Sequence, residues 1–403
     1  MNRNCVMKKA SHRRELLMQL VLCIFMSGML MTSCCLALAE DHDIRINASD
    51  RADLVNANLS GLDLAGAHLN QSNLSGANIS GANLSGAFLR SAWLVSARLR
   101  EANMSKCDMK GAVLNDADLS SADLSGASLS YSQMPDVKLI NAILRMTDLT
   151  EADLSDSDLS DADLTDARLF RTDLSGSNLR GIYLTRANMV GAHMSWADLS
   201  ESHLSRGQFA RAELYKTNLS NADISEADFT RGYLMGSNLT NADLRRSSLS
   251  YADLTEARLI GANMNAASIE YADLTRANLT GADLSDSDLD SARLTDSVLR
   301  DVRLDRVRLY EMDLRKIDLA RASLRGSALI LVYLAKANLT GADLRDATLS
   351  HVEMSGANLT DANLERIKYD QFTLRSLSGA DLSGATMSND LIEDLKSIED
   401  GGK

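Results

Sequence analysis

The chain has 403 residues and a formal net charge of −13, with 4% aromatic residues and a single proline, Pro135. So few large core anchors argue against an ordinary multi-domain enzyme, and the acidity sets the surface against direct binding of nucleic acid or anionic membranes. The core has to be assembled from leucine and alanine.

Residues 1–39 differ in kind from the rest. A basic stretch with Lys8, Lys9, Arg13 and Arg14 runs into a charge-free apolar stretch from Leu16 to Ala39, the pattern of an export signal. Small residues at Ala37 and Ala39 suit cleavage after Ala39. Two rivals stay open. The segment Leu30 to Cys35, "LMTSCC", resembles a bacterial lipoprotein box with Cys34 as the lipidated residue. The apolar run is also long enough to remain as an uncleaved membrane anchor through residues 16–39. Four of the five cysteines lie in this leader, so its removal leaves Cys107 alone, without an internal disulfide, and a net charge of −17. Residues 40–51 read as an irregular lead-in, with Ile44 and Ile46 starting the first coil.

From residue 52 the sequence returns every five residues to one phrase, as in "LSGANISGANLSGAFL" from Leu74 to Leu89. On an α-helix a step of five advances about 500°, so the leucines would wander around the axis. On a continuous strand an odd period would send them to alternate faces. One arrangement keeps Ala77 and Ile79, or Ala82 and Leu84, inside together: three extended residues followed by a two-residue corner of the Ser-Gly, Thr-Glu or Ser-Asp type. Four such phrases close a square coil of 20 residues, and coils stack at about 4.8 Å. The central position is Leu, Met, Ile or Phe in all 63 phrases from Leu54 to Leu364. That predicts about 16 coils and a rod of roughly 75 Å.

The pattern A(D/N)LXX resembles the pentapeptide-repeat family over nearly all of residues 52–387. The resemblance implies an all-β fold, a right-handed quadrilateral β-helix; the period does not fix the handedness.

The small inward position is enlarged at Leu62, Val137, Ile182, Val332 and Val352, and four times in succession at Val302, Val307, Met312 and Ile317. The last four predict a locally swollen or differently filled core, read either as compensating repacking or as a binding cavity. After Leu364 the grammar fails, with an eight-residue step from Leu374 to Leu382. Residues 388–403 carry Leu391, Leu395 and Ile398 at helical spacing behind Ser388 and Asn389, which predicts a short C-terminal capping helix over the open end. A homodimer through that end is the alternative, since end-to-end pairing occurs in the family.

No catalytic, cofactor or metal set emerges. The acidic run Glu151 to Asp166 would girdle a coil instead of converging as a calcium site requires. His42, His68, His193, His203 and His351 do not pair by spacing, and His193 and His203 fall on opposite faces. Cys107 replaces an inward alanine. The basic residues between Arg293 and Arg325 stand 20 from carboxylates: Asp283 with Arg303, Asp286 with Arg306, Asp288 with Arg308, Arg293 with Asp313, Asp296 with Lys316, Asp301 with Arg321 and Asp305 with Arg325. They predict a charge ladder between coils. Asn58, Asn78, Asn218, Asn238, Asn278, Asn338 and Asn358 share one column and predict a second ladder. Phe88, Trp93 and Val113 take positions that should face water, the candidate patch for a protein partner.

The resulting expectation is a non-enzymatic, exported, rod-like scaffold or interaction protein of the bacterial cell envelope, periplasmic or extracellular, without a cofactor and with an unnamed protein partner. The alternative, implied by the family resemblance, is a DNA-mimicking modulator of DNA gyrase; the leader opposes it, because gyrase is cytoplasmic.

Overall fold

The computed structural model describes residues 50–401; the leader, Cys34, His42, Ile44 and Ile46 lie outside the described residues. Two compact units follow one another, the first ending at Tyr183 and the second starting at Leu184. Each is a four-sided β-helix. In the first unit Asp53 pairs with Asn73, Asn58 with Asn78, Asp63 with Asn83 and His68 with Phe88, all parallel and all 20 residues apart. In the second, His193 pairs with Glu213, Asp198 with Asn218, His203 with Asp223 and Gln208 with Asp228. The outward residues numbered like 53, 58, 63 and 68 thus define faces 1 to 4, repeating every 20. Alternation along each short strand buries the residues on either side of the outward one, such as Ala77 and Ile79 around Asn78.

Most corners are hydrogen-bonded turns. The amide of Ala57 donates to the Leu54 oxygen at 3.0 Å across Val55 and Asn56. Asn56 has φ +56°, and every fifth residue from Arg51 to Arg366 is likewise left-handed, whether or not it is glycine. A positive φ at the third turn position is the signature of a type II turn. This conformation costs a non-glycine residue about 1 to 2 kcal/mol, so stacking must hold the corners in place.

The (D/N)-L-(S/T) grammar has its own cause. The outward Asp or Asn accepts from the amide two residues on and from that residue's hydroxyl: Asp148 Oδ1 takes Thr150 N at 3.1 Å and Thr150 Oγ1 at 2.6 Å. Asn238 does the same with Thr240 at 3.2 and 2.7 Å. These local bonds fix the exit from each strand into its corner. Most hydroxyls that replace inward alanines are also satisfied: Thr147 Oγ1 donates to the Leu124 oxygen at 2.8 Å and Thr217 Oγ1 to the Met194 oxygen at 2.7 Å, whereas the buried Ser237 Oγ has no partner.

The interior compensates volume where it can. Phe209 and Phe229 replace central leucines on adjacent coils and stack at 4.6 Å with planes 2° apart. Glycine stands at the small position next to Phe209, Gly207, where an added Cβ would drive into the Phe209 ring.

At the C-terminal end the structure departs from the repeat after Tyr369, in the stretch where the sequence grammar fails. Residues 371–377, read from sequence as part of the β-helix, form helix α1 (Gln371–Leu377), N-capped by Asp370, whose side chain accepts from the Thr373 amide at 2.8 Å. Side chains of this helix and its cap replace the missing coil: His351 N donates to Asp370 Oδ2 at 2.8 Å, Val352 N to Thr373 Oγ1 at 3.0 Å and Met354 N to Ser376 Oγ at 2.5 Å. The register then slips by three residues, so that Leu359 N reaches the Asp381 oxygen at 2.8 Å. That slip accounts for the eight-residue step. Helix α2 (Asn389–Gly401) follows, with Leu391 and Leu395 buried, and packs against α1. Tyr369 donates to Asp394 at 2.8 Å and ties α2 to the coil before α1.

Candidate functional site

The patch read from the sequence is divided. Trp93 and Val113 stand side by side on face 1, Trp93 57% exposed and Val113 half-buried. Phe88 lies on face 4, stacked on His68 at 4.8 Å. The linear sequence placed the three together because they lie within 26 residues, but the corner between faces 4 and 1 separates Phe88 from the other two.

The second unit carries a larger aromatic surface that the sequence reading missed. Six of the nine tyrosines, Tyr215, Tyr233, Tyr251, Tyr271, Tyr310 and Tyr333, fall on its face 1 or the flanking corners. Trp196 joins them and is 61% exposed, Tyr233 54% and Tyr251 51%. On one corner Trp196 meets Tyr215 edge to face at 5.6 Å, and Lys216 Nζ lies 4.5 Å from the Trp196 ring centre. On the other corner Tyr251 and Tyr271 stack at 4.9 Å under Arg231, 5.5 Å from the Tyr251 ring. Arg211, Lys216 and Arg231 form no ion pair with a carboxylate among the described residues. Tyrosine, tryptophan and arginine are the residues most often found at binding hot spots. The signal was available: these residues align only when numbers are compared by steps of 20 and corners are counted with faces.

The same side of this unit holds an opening. Where Val302, Val307, Met312 and Ile317 enlarge the inward position, the central leucines Leu304, Leu309, Leu314 and Leu319 are retained, so volume is added without compensation. The expected swelling is present on face 1. Pairing at Arg293 and Asp313 is missing from the ladder, although the neighbouring pairs Asp288 with Arg308 and Val298 with Asp318 persist. Among the described residues, the amides of Ser291, Leu294 and Asp296 lack the coil-to-coil bonds that the repeat makes elsewhere. A cleft of 650 Å³ opens between residues 290–295 and 308–313, and a second of 340 Å³ adjoins it toward Ile317. Met312 and Ile317 remain buried, at 5% and 6% exposure. Both therefore point inward as expected, and the strain is relieved by separation of the coils.

The charge ladder forms in part. Arg303 reaches Asp283 at 3.4 Å, Arg306 reaches Asp286 at 2.5 Å and Arg321 reaches Asp301 at 2.6 Å. The Arg306 and Arg321 guanidiniums hold the Asp286 and Asp301 carboxyls below the ordinary carboxylate range. Around the seam the pairing is redirected: Arg293 turns to Asp273 at 3.3 Å, and Asp313 is taken by Arg315 at 2.5 Å. Asp305 accepts the backbone amide of Arg325, while the Arg325 side chain lies 3.8 Å from Asp343. The asparagine ladder closes between Asn78 and Asn58 at 3.4 Å and between Asn238 and Asn218 at 3.1 Å, whereas Asn338 donates to Asp318 at 3.0 Å.

The acidic run does girdle the coil: Asp153, Asp158 and Asp163 lie on faces 1, 2 and 3. Among the described residues, no group of three His, Cys, Asp or Glu could hold a metal ion. Cys107 is buried, its thiol 2.8 Å from the Leu84 oxygen, and burial pushes its pKa up to about 12, far from a reactive thiolate.

Comparison with known proteins agrees with this architecture. The family described as Pentapeptide repeats matches residues 52–90, 94–130, 132–169, 167–206, 192–231, 237–270, 262–301, 272–309 and 329–366. The chain belongs to the pentapeptide-repeat family, and with membership comes the right-handed sense of its β-helix. No curated protein matches. Among solved structures, the chain is similar to HetL, a pentapeptide repeat protein involved in heterocyst differentiation regulation from the cyanobacterium Nostoc sp. strain PCC 7120, at 30% identity over 48% of this chain and 88% of that one, TM-score 0.48. It is also similar to QnrB1, a plasmid-mediated fluoroquinolone resistance protein, at 19% identity over 51% and 96% of the two chains, TM-score 0.26. A pentapeptide repeat protein of the Arabidopsis thaliana thylakoid lumen matches at 22% identity over 40% and 88%, TM-score 0.19.

Proposed function

We propose that this protein is a non-enzymatic interaction scaffold, exported to the cell envelope, that docks a protein partner on the aromatic side of its second unit. The observation that carries the reading is the run of exposed Trp196, Tyr233, Tyr251 and Tyr271 on one side of an otherwise acidic chain. Rigid aromatic rings flanked by Arg231 and Lys216 offer large contact area at little entropic cost. The export part rests on the basic and apolar pattern of residues 1–39.

The test is affinity capture from the producing cells with the intact chain and with a Trp196→Ala/Tyr233→Ala variant. A stoichiometric partner lost by the variant at unchanged thermal stability supports the reading; equal capture by both contradicts it. Mass spectrometry of the N-terminus after fractionation tests export: a start at Glu40 or a lipidated Cys34 supports it, and a soluble, unprocessed cytoplasmic chain contradicts it. The acidity, −13 overall, favours one second reading, a gyrase modulator. An unchanged supercoiling rate of purified DNA gyrase in its presence, with or without a quinolone, would remove that reading.

A further inference from the structure

In regular coils every strand edge is saturated by the next coil. Leu274 N donates to the Arg293 oxygen at 2.8 Å and Arg276 N to the Thr295 oxygen at 2.9 Å, one coil before the seam. At the seam the equivalent amides of Ser291, Leu294 and Asp296 find no backbone acceptor among the described residues, and the amide of Asp313, facing back, finds none either. Two strand edges therefore face each other across a cleft of 650 Å³, with donors and acceptors unmet on both sides. Main-chain donors and acceptors left open along an edge are a template for strand addition, and the ligand that satisfies two facing parallel edges is another extended main chain.

We infer that the seam on face 1 of the second unit binds an extended polypeptide segment, inserted as an added strand between residues 290–296 and 310–316. The walls set its side-chain rule. Leu294 and Met312, both almost fully buried, reach the cleft from the interior, while the outward positions on either side are Arg293 and Asp313. Side chains alternate along a strand, so the segment accepted reads apolar, polar, apolar. That is the alternation of this chain's own Ala-Asn-Leu phrases. The volume lies within the roughly 300 to 1,000 Å³ of ordinary ligand clefts, room for a short segment and not for a domain. The opening is confined to one face, with pairing kept at Asp288–Arg308 and Val298–Asp318, so insertion needs no unfolding of the other three sides.

The site adjoins the aromatic surface and shares Tyr310 with it but includes neither Trp196 nor Tyr233, so its failure would leave their docking role untouched. The probe is a fluorescein-labelled heptapeptide Ser-Gly-Ala-Asn-Leu-Ser-Gly, the sequence of residues 80–86, added to the full chain. Saturable anisotropy is expected, together with at least ~10-fold slower hydrogen exchange at the amides of Ser291, Leu294 and Asp296. The same peptide N-methylated at its Asn and Leu nitrogens should not bind, because these are the amides of a phrase that donate to the coils before and after it, as Asn83 N does to the Leu62 oxygen and Leu84 N to the Asn103 oxygen. Absence of binding at about 1 mM peptide, a dissociation constant corresponding to only about 4 kcal/mol, would overturn the inference. So would equal binding of the N-methylated peptide, or full protection of the three amides in the free protein.

Discussion

Two places in the second unit carry oversized interior side chains and answer them differently. At Phe209 the excess is offset within one phrase by Gly207, and the ladder across it is continuous: Phe209 N donates to the Asp228 oxygen at 2.7 Å. At residues 302–317 every small position is enlarged and no central leucine is reduced. There the stack opens on one side. A square coil has little freedom to expand in its own plane because four corner turns fix its perimeter, so uncompensated volume is relieved along the stacking direction, where only hydrogen bonds resist.

The comparison can be broken by changing the packing on either side. The largest effect is expected from Leu239→Ala in the regular stack, where the side chain is wholly buried: a loss of about 2 to 5 kcal/mol by urea denaturation. Leu294→Ala, at the seam, should cost clearly less, because its neighbours are already separated. Equal costs would mean that the seam is as tightly packed as the rest. Gly207→Ala should bring the compensated site to the condition of the seam and cost about 1 to 3 kcal/mol, with faster exchange at the Phe209 amide. A neutral result would remove the compensation argument.

Corners give a smaller and separate effect. Gly281, at φ +69° with open space around an added Cβ, isolates the backbone term: Gly281→Ala should destabilise by about 1 kcal/mol. Ala266, at φ +56°, should gain a similar amount on substitution by glycine, less the entropy glycine adds to the unfolded chain. The smallest effect is that of pH. Asp286, Asp301 and Asp346 are held low by hydrogen bonds from Arg306, Arg321 and Arg366. Their contribution is present above the ordinary carboxylate value of 3.8 and is lost as pH falls through the lower folded values. A melting temperature in low salt that declines below about pH 4, with a smaller decline in high salt, is the expected outcome; a salt-independent profile would show that the ladder contributes nothing.

Much of this was legible because a period of five admits so few solutions. The four faces, the inward Ala and Leu columns and the residues of the swollen coil all follow from spacing. Which side would open did not, because Val302, Val307, Met312 and Ile317 enlarge all four sides of the coil and only the response of the whole stack selects face 1. Helix α1 was hidden by Leu374, which falls in the repeat frame while serving as a helical core residue. Its signal lay in Asp370 and Thr373, a cap and its partner three residues on. The aromatic side was obscured for a different reason: Trp196, Tyr251 and Tyr271 occupy corners, and the residues of a corner look interchangeable until the 20-residue register aligns them.

The most direct test of the account is amide hydrogen exchange of the free protein at single-residue resolution. Leu274 and Arg276 should be strongly protected, whereas Leu294 and Asp296, their counterparts one coil on, should exchange orders of magnitude faster. Equal protection at the four positions would mean that the ladder runs unbroken through residues 289–317, contradicting the open seam and the packing argument behind it.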